Sequence, residues 1–327
     1  MARSPEARAK QADIVDRLER GILELKSSTR WAEYLRAAAR FRRYSANNLM
    51  LILMQRPDAT RVAGFRTWLD LRRHVRKGEN GIAILAPCVY GGQTREDQET
   101  GECVTTQRRL VGFRVVHVFD VSQTDGDKLP SPVTHLEGDS AAELLARLEL
   151  VAGELGFSVQ RPDDFHGPVN GDTSFELKRI RLNPDRSTDQ QAKTLAHELG
   201  HVTAHHETVN YSAERGRCEL EAESVAYVVL AHYGLDSAGY SFGYVARWSD
   251  AKAIRESAGT ILEASGEILQ LLETLEVRLV ELGVTPEDGD SWADGRPFGR
   301  VGIGRIGRLE PLSSALPHRS AVRYSLI

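Results

Sequence analysis

His197-Glu198-Leu199-Gly200-His201 closes a run that opens at Gln190 and decides how the second half of this chain is read. Residues four apart share one face of an α-helix, so His197 and His201 can direct imidazole nitrogens at a single metal ion. Glu198 then sits beside the metal rather than on it, placed to take a proton from a metal-bound water and hand it to a leaving amine. The flanking sequence supports a helix here. Asn183-Pro184-Asp185-Arg186-Ser187 reads as its start, with Ser187 or Thr188 as N-cap and Asp189 in the first turn. Before it, Leu177 to Leu182 alternates like a half-exposed strand, read as an edge strand to which an extended peptide could add.

The expected cofactor is Zn2+, and a catalytic zinc takes three protein ligands and a water. The longer H-E-x-x-H-x-x-G-x-x-H motif is excluded, because Ala204 and Glu207 occupy its glycine and final histidine positions. A downstream glutamate is the better third ligand. Arg217 to Leu230 reads as a second helix with Leu220, Val225, Val228 and Val229 available for burial, and Glu219 and Glu223 one turn apart on one face. The pair resembles the gluzincin pattern E-x-x-x-(D/N/E), which implies Glu219 as metal ligand and Glu223 as the partner that orients a ligating histidine. An acidic, solvated helix face is the alternative. Glu221 is expected to point to solvent, His205 and His206 to mark a solvated helix end, and Tyr240 and Tyr244 to serve packing rather than an oxyanion.

Composition narrows the class. At 327 residues the chain has room for two cores, and no apolar run reaches the roughly 18 residues that span a bilayer. Three widely spaced cysteines, Cys88, Cys103 and Cys218, argue against a disulfide framework. With no signal-peptide core at the amino terminus, the expected location is cytoplasmic. The net charge of −4 conceals a surplus of +9 in residues 1–90 against −13 in the remainder. A basic front of this kind suits a polyanionic partner.

Helical spacing is read over Glu6–Leu25, Trp31–Arg42, Asn47–Gln55, Ser140–Leu155 and Ala251–Leu282, and strands over Arg61–Phe65, Gly81–Cys88 and Leu110–Phe119. Gly126, Pro130 and Pro132 in the stretch Asp125–Pro132 mark a break, with the linker placed at 131–139, and the loss of apolar periodicity after Gly283 marks a tail, 283–327, expected to be disordered. The resulting division is 1–130, then the linker, then 140–282, then the tail.

In the basic front, Trp31, Tyr34, Phe41, Tyr44, Phe65 and Trp68 interleave with arginines, a pairing that suits base stacking and phosphate contact, although core packing explains the aromatics equally well. Phe41-x-x-Tyr44-Ser45-x-Asn47-Asn48, Gln55-x-Pro57-x-Ala59, Val62-Ala63-Gly64-Phe65-x-x-Trp68, Val75-x-Lys77-Gly78-Glu79-x-Gly81-Ile82 and Val118-Phe119-Asp120-Val121-Ser122-Gln123-Thr124 together resemble the amino-terminal domain of ArdC-type antirestriction proteins. Ala46 stands where that family is expected to carry a bulkier residue.

The resemblance covers about residues 30–280 and implies an α+β fold: an N-terminal α+β domain that binds single-stranded DNA, then a mainly helical zincin-like domain. It further implies a protein of plasmids or other mobile elements. On it, Arg43, Tyr44, Arg72, Arg76 and Lys77 are assigned to DNA. The leading expectation is an antirestriction-type protein that binds single-stranded DNA and carries a zinc metalloendopeptidase acting on a protein substrate. The alternatives are a regulatory peptidase that cleaves a repressor or a DNA-bound partner, and a non-enzymatic DNA-binding protein with structural zinc. The sequence does not define the oligomeric state.

Overall fold

The structure, a computed structural model, describes residues 5–90, 94–96, 103–105, 109–129, 140–165, 167–235 and 251–281. The expected linker 131–139, the tail 283–327 and the segment with Tyr240 and Tyr244 lie outside them. The fold is mixed α+β, and its residues gather into two compact units, Met1–His135 with Gly200–Gly266, and Leu136–Leu199 with Glu267–Ile327. The described residues of 200–266, which follow the linker in sequence, thus pack with the N-terminal part of the chain.

In the first unit, helix α1 (Pro5–Glu24) buries the stripe of Ile14, Leu18 and Ile22, with Leu25 just beyond it, as its period demands. Helix α2 (Ser28–Arg40) buries Trp31, Tyr34 and Leu35. Helix α3 (Ala46–Gln55) starts at Ser45, whose hydroxyl accepts from the Asn48 amide. Strand β1 (Val62–Gly64), helix α4 (Phe65–Asp70) and strands β2 (Arg73–Val75), β3 (Ile82–Tyr90), β4 (Thr94–Glu96), β5 (Cys103–Thr105), β6 (Arg109–Asp120) and β7 (Thr124–Gly126) follow. They form an antiparallel sheet in the order β1-β6-β3 and two two-stranded sheets, β2-β7 and β4-β5.

An unpaired β3 edge would leave backbone groups open to another strand. Helix α3 covers it with two carboxamides. Asn48 pairs both ways with Leu85, accepting from its amide and donating to its carbonyl at 2.9 Å each. Gln55 does the same with Ala83, again at 2.9 Å each. The two residues stand seven apart, two turns along one face of α3.

Helix α7 (Tyr211–His232) belongs to the same unit. Its central residues from Leu220 to Leu230 are buried almost without interruption, as befits a helix enclosed on every side. Helix α2 packs on it, and the Trp31 indole donates to Ser224 Oγ at 3.0 Å.

The second unit holds helix α5 (Ser140–Glu154), a sheet of β8 (Ser158–Gln160), β9 (Gly171–Ser174) and β10 (Arg179–Leu182), and most of helix α6 (Thr188–Thr203). Helix α8 (Ala251–Glu281) runs through both units. The strand read as an edge is central: the order is β8-β10-β9, with β10 parallel to β8 and antiparallel to β9. Alternating burial of Ile180 and Leu182 is the same for an edge or a central strand, so hydropathy alone does not separate them. The edges are β8 and β9, and β9, Gly171-Asp172-Thr173-Ser174, has no large apolar residue to announce it.

Candidate metal centre and nucleic-acid surface

The turn into α6 is fixed by Asn183. Its buried side chain donates to the carbonyls of Val169 at 2.9 Å and Gly167 at 3.2 Å and accepts from the Asp185 amide at 2.9 Å, satisfying a buried carboxamide. Ser187 then caps the helix, accepting from Gln190 N at 3.4 Å. Ala192, Leu195, Ala196 and Leu199 are buried, which fixes the rotation of α6 and hence where its histidines point.

Helix α6 runs unbroken from Leu199, the last of its residues in the second unit, into Gly200, the first in the other. One helical turn therefore sets His197 against His201. Gly200 sets the approach of α7: a Cβ there would lie 3.0 Å from both the Cα and the carbonyl oxygen of Ala222. The close approach brings Glu219 to His201. One ligand atom from each of His197, His201 and Glu219 lies within 4.8 Å of the others, and His201 Nε2 stands 4.0 Å from Glu219 Oε2. Atoms bound to one tetrahedral zinc stand roughly 3.4 Å apart at bonds of about 2.1 Å, so a small closure of the three groups suffices. Two imidazoles and a carboxylate fit zinc by their chemistry as well.

Glu198 is buried, and its Oε2 accepts from Thr173 Oγ1 of β9 at 2.8 Å. Thr173 was not legible as a site residue. Glu219 accepts a hydrogen bond from the Tyr211 hydroxyl, whose pKa is raised by burial and by that carboxylate. The Cys218 thiol, next in sequence, is buried and pushed up to about 11 by burial and the Glu221 charge, a setting unsuited to a thiolate ligand.

The surroundings of His201 differ from expectation. His206 and Glu221, read as solvated, are 3% and 2% exposed. His201 Nδ1 faces His206 Nδ1 at 2.7 Å, and His206 Nε2 faces Glu221 Oε2 at 3.0 Å. Ser257 of α8 donates to the other Glu221 oxygen. Glu223, expected to orient a histidine, is half-buried on α7. Residue spacing along one helix did not reveal this network, because His206 enters it from a short 3-10 turn, His206–Thr208, after the left-handed His205.

The aromatics of the basic front divide sharply. Trp31, Tyr34, Phe41 and Trp68 are core residues, so they present no face to a base. Tyr44 is half-buried, with its hydroxyl donating to the Val62 carbonyl at 2.9 Å. Phe65 is 50% exposed and Leu69, one turn along α4, is 49% exposed. Among the DNA assignments, Arg43, Arg72 and Lys77 are exposed, and Arg72 adopts the left-handed backbone region. Arg76 is exposed as well, but its guanidinium binds Glu79 at 2.7 Å and the Ser122 carbonyl at 2.6 Å, with Asp125 at 3.4 Å.

Residues 8–119 match the family model described as the N-terminal domain of anti-restriction factor ArdC, and residues 154–235 match the peptidase model described as the IrrE N-terminal-like domain. An uncharacterized protein of Bacillus anthracis is 23% identical over 280 residues, covering 75% of this chain and 47% of that protein. The chain thus spans about half the length of the curated relative it matches. The metal-free crystal structure of the antirestriction ArdC protein from the R388 plasmid is 21% identical, with a TM-score of 0.44 over 73% of this chain and 86% of that one. Its Mn(II)-bound structure is 19% identical, with a TM-score of 0.44 over 70% and 85%. The chain therefore carries a region that matches the N-terminal domain of anti-restriction factor ArdC, followed by one that matches the zincin-like IrrE N-terminal-like peptidase domain.

Proposed function

We propose that this chain is an antirestriction-type protein that binds single-stranded DNA through its N-terminal domain and hydrolyses peptide bonds at a zinc site formed by His197, His201 and Glu219. The observation that supports it most is the convergence of those three side chains beside a buried Glu198. When bound, the zinc would polarise a carbonyl and acidify a water. The chain's own residues do the rest. His197, His201 and Glu219 hold the cation, and Thr173 fixes one oxygen of Glu198. The carboxylate of Glu198 accepts the proton of the attacking water and returns it to the leaving amine. The β9 edge next to Glu198 is suited to align an extended peptide by strand addition.

For DNA, the ArdC-type domain match and the +9 surplus of residues 1–90 support the reading. Arg43, Arg72 and Lys77 would follow phosphates, and Phe65 supplies an exposed ring for a base. Tyr44 and Arg76 serve the fold first.

The test of the enzyme is cleavage of a peptide library by the zinc-loaded full chain, read by mass spectrometry. Cleavage that disappears in Glu198→Gln, with zinc retained, is the expected result. Equal cleavage by that variant would rule the mechanism out, and a full chain that unfolds on chelation would favour structural zinc.

A further inference from the structure

We infer that His206, backed by Glu221 and Ser257, is a positioning residue that locks His201 in the tautomer required for metal binding; this rests on the metal site proposed above. Metal binding and hydrogen-bond direction together set the tautomers. For His201 Nε2 to offer a lone pair toward Glu219 and the cation, its ring proton must sit on Nδ1. That Nδ1–H meets His206 Nδ1 at 2.7 Å, which must therefore be the unprotonated, accepting nitrogen. His206 then carries its proton on Nε2 and donates it to Glu221 Oε2 at 3.0 Å. The second oxygen of Glu221 accepts from Ser257. With Glu221 ionised and His206 neutral, every donor in the chain Ser257, Glu221, His206, His201 meets an acceptor, and the Nε2 lone pair of His201 is the one directed toward Glu219 and the cation.

Burial gives the arrangement its force. His206 and Glu221 are nearly inaccessible, so water cannot substitute for a missing partner. The Glu221 carboxylate is balanced by the Arg217 guanidinium at 3.8 Å as well as by its hydrogen bonds. A ligating histidine ordinarily donates its second N–H directly to a carboxylate or carbonyl. Here a second imidazole is interposed, and it carries the orienting effect from α7 and α8 to the last turn of α6.

The experiment is zinc affinity of the full chain by competition with a chromogenic chelator, for wild type, His206→Gln and His206→Leu. Glutamine can accept from His201 and donate to Glu221, whereas leucine can do neither. The expected outcome is a 10–100-fold weaker affinity for His206→Leu with recovery to within a few-fold in His206→Gln, the range for losing such a partner. Wild-type affinity in the leucine variant, or equal losses in both, would overturn the proposal. Should His206→Leu fail to fold, the 15N-histidine spectrum of zinc-loaded wild type decides: His206 protonated on Nε2 is expected, and on Nδ1 contradicts it. A wild-type chain that binds no zinc would instead remove the metal site itself.

Discussion

Thr173 on the β9 edge reaches the proposed general base, its hydroxyl donating to Glu198 at 2.8 Å. Replacing it by valine removes one hydrogen bond to a charged group, about 1.5 kcal/mol, and so is expected to lower kcat by about tenfold while zinc affinity stays unchanged. An unchanged kcat would separate Thr173 from the mechanism. Tyr44→Phe makes the opposite kind of test, since its hydroxyl is spent on the Val62 carbonyl. It is expected to cost about 1 kcal/mol in urea unfolding and to leave DNA affinity as it was. Asp120 is expected to contribute to acid stability. Burial raises its carboxyl pKa, but the bonds from Ser122, Arg61 and Thr60 more than offset this and hold it below the ordinary value. Its contribution is complete above about pH 3.9, the unfolded value, and is lost as pH falls through the lower folded value. Asp120→Asn is therefore expected to cost about 2–3 kcal/mol at neutral pH and to flatten the loss of stability as pH falls below about 4, read from urea midpoints.

At the level of elements, the sequence exposed those whose burial is periodic. Helices α1, α2, α3, α5, α6 and α8 and strands β3 and β6 lie where apolar spacing places them, to within a few residues, whereas α7 begins at Tyr211, six residues before the Arg217 start read from the sequence. What it did not expose depends on pairing across the chain. The four residues of β9 are too short and polar to show a period, and Glu221 differs from its neighbours Glu219 and Glu223 only in which helix lies opposite. The motifs that carry the family resemblance turn out to be scaffolding: Asn48 and Gln55 seal β3, Trp68 donates to the Phe119 carbonyl at 2.9 Å, and Gln123 binds Glu79 and the Asn80 carbonyl. Their order identifies the domain without marking a DNA contact. In the candidate site, the H-E-x-x-H helix was legible because local geometry alone sets His197 against His201. Gly200 tests how α6 and α7 make the rest of it. Gly200→Val places side-chain atoms against the Ala222 backbone, so it is expected to part the helices and weaken zinc binding more than tenfold. Undiminished affinity would show that the interhelix distance does not set the site.

Across the whole molecule, the asymmetry of charge and the composition of the first unit bear on how DNA binding is measured. Trp31 and Tyr34 on α2 are buried in a unit that also contains α7, with the indole bonded to Ser224. Residues 1–130 alone would expose that face, so the fragment is expected to melt well below the full chain or to aggregate; a cooperative melt at the same temperature would contradict this. Binding to single-stranded oligonucleotides is therefore measured on the full chain, where affinity should fall steeply with salt as phosphate counterions are released. Among the described residues no helix is long and apolar enough to cross a membrane. The central claim is the metal centre, and the most direct measurement is zinc stoichiometry and affinity of the full chain beside Glu219→Ala, His201→Ala and Glu198→Gln. About one zinc per chain is expected in wild type and in Glu198→Gln, with its loss in the other two. Zinc retained at full affinity without Glu219 and His201, or absent from wild type, would contradict it.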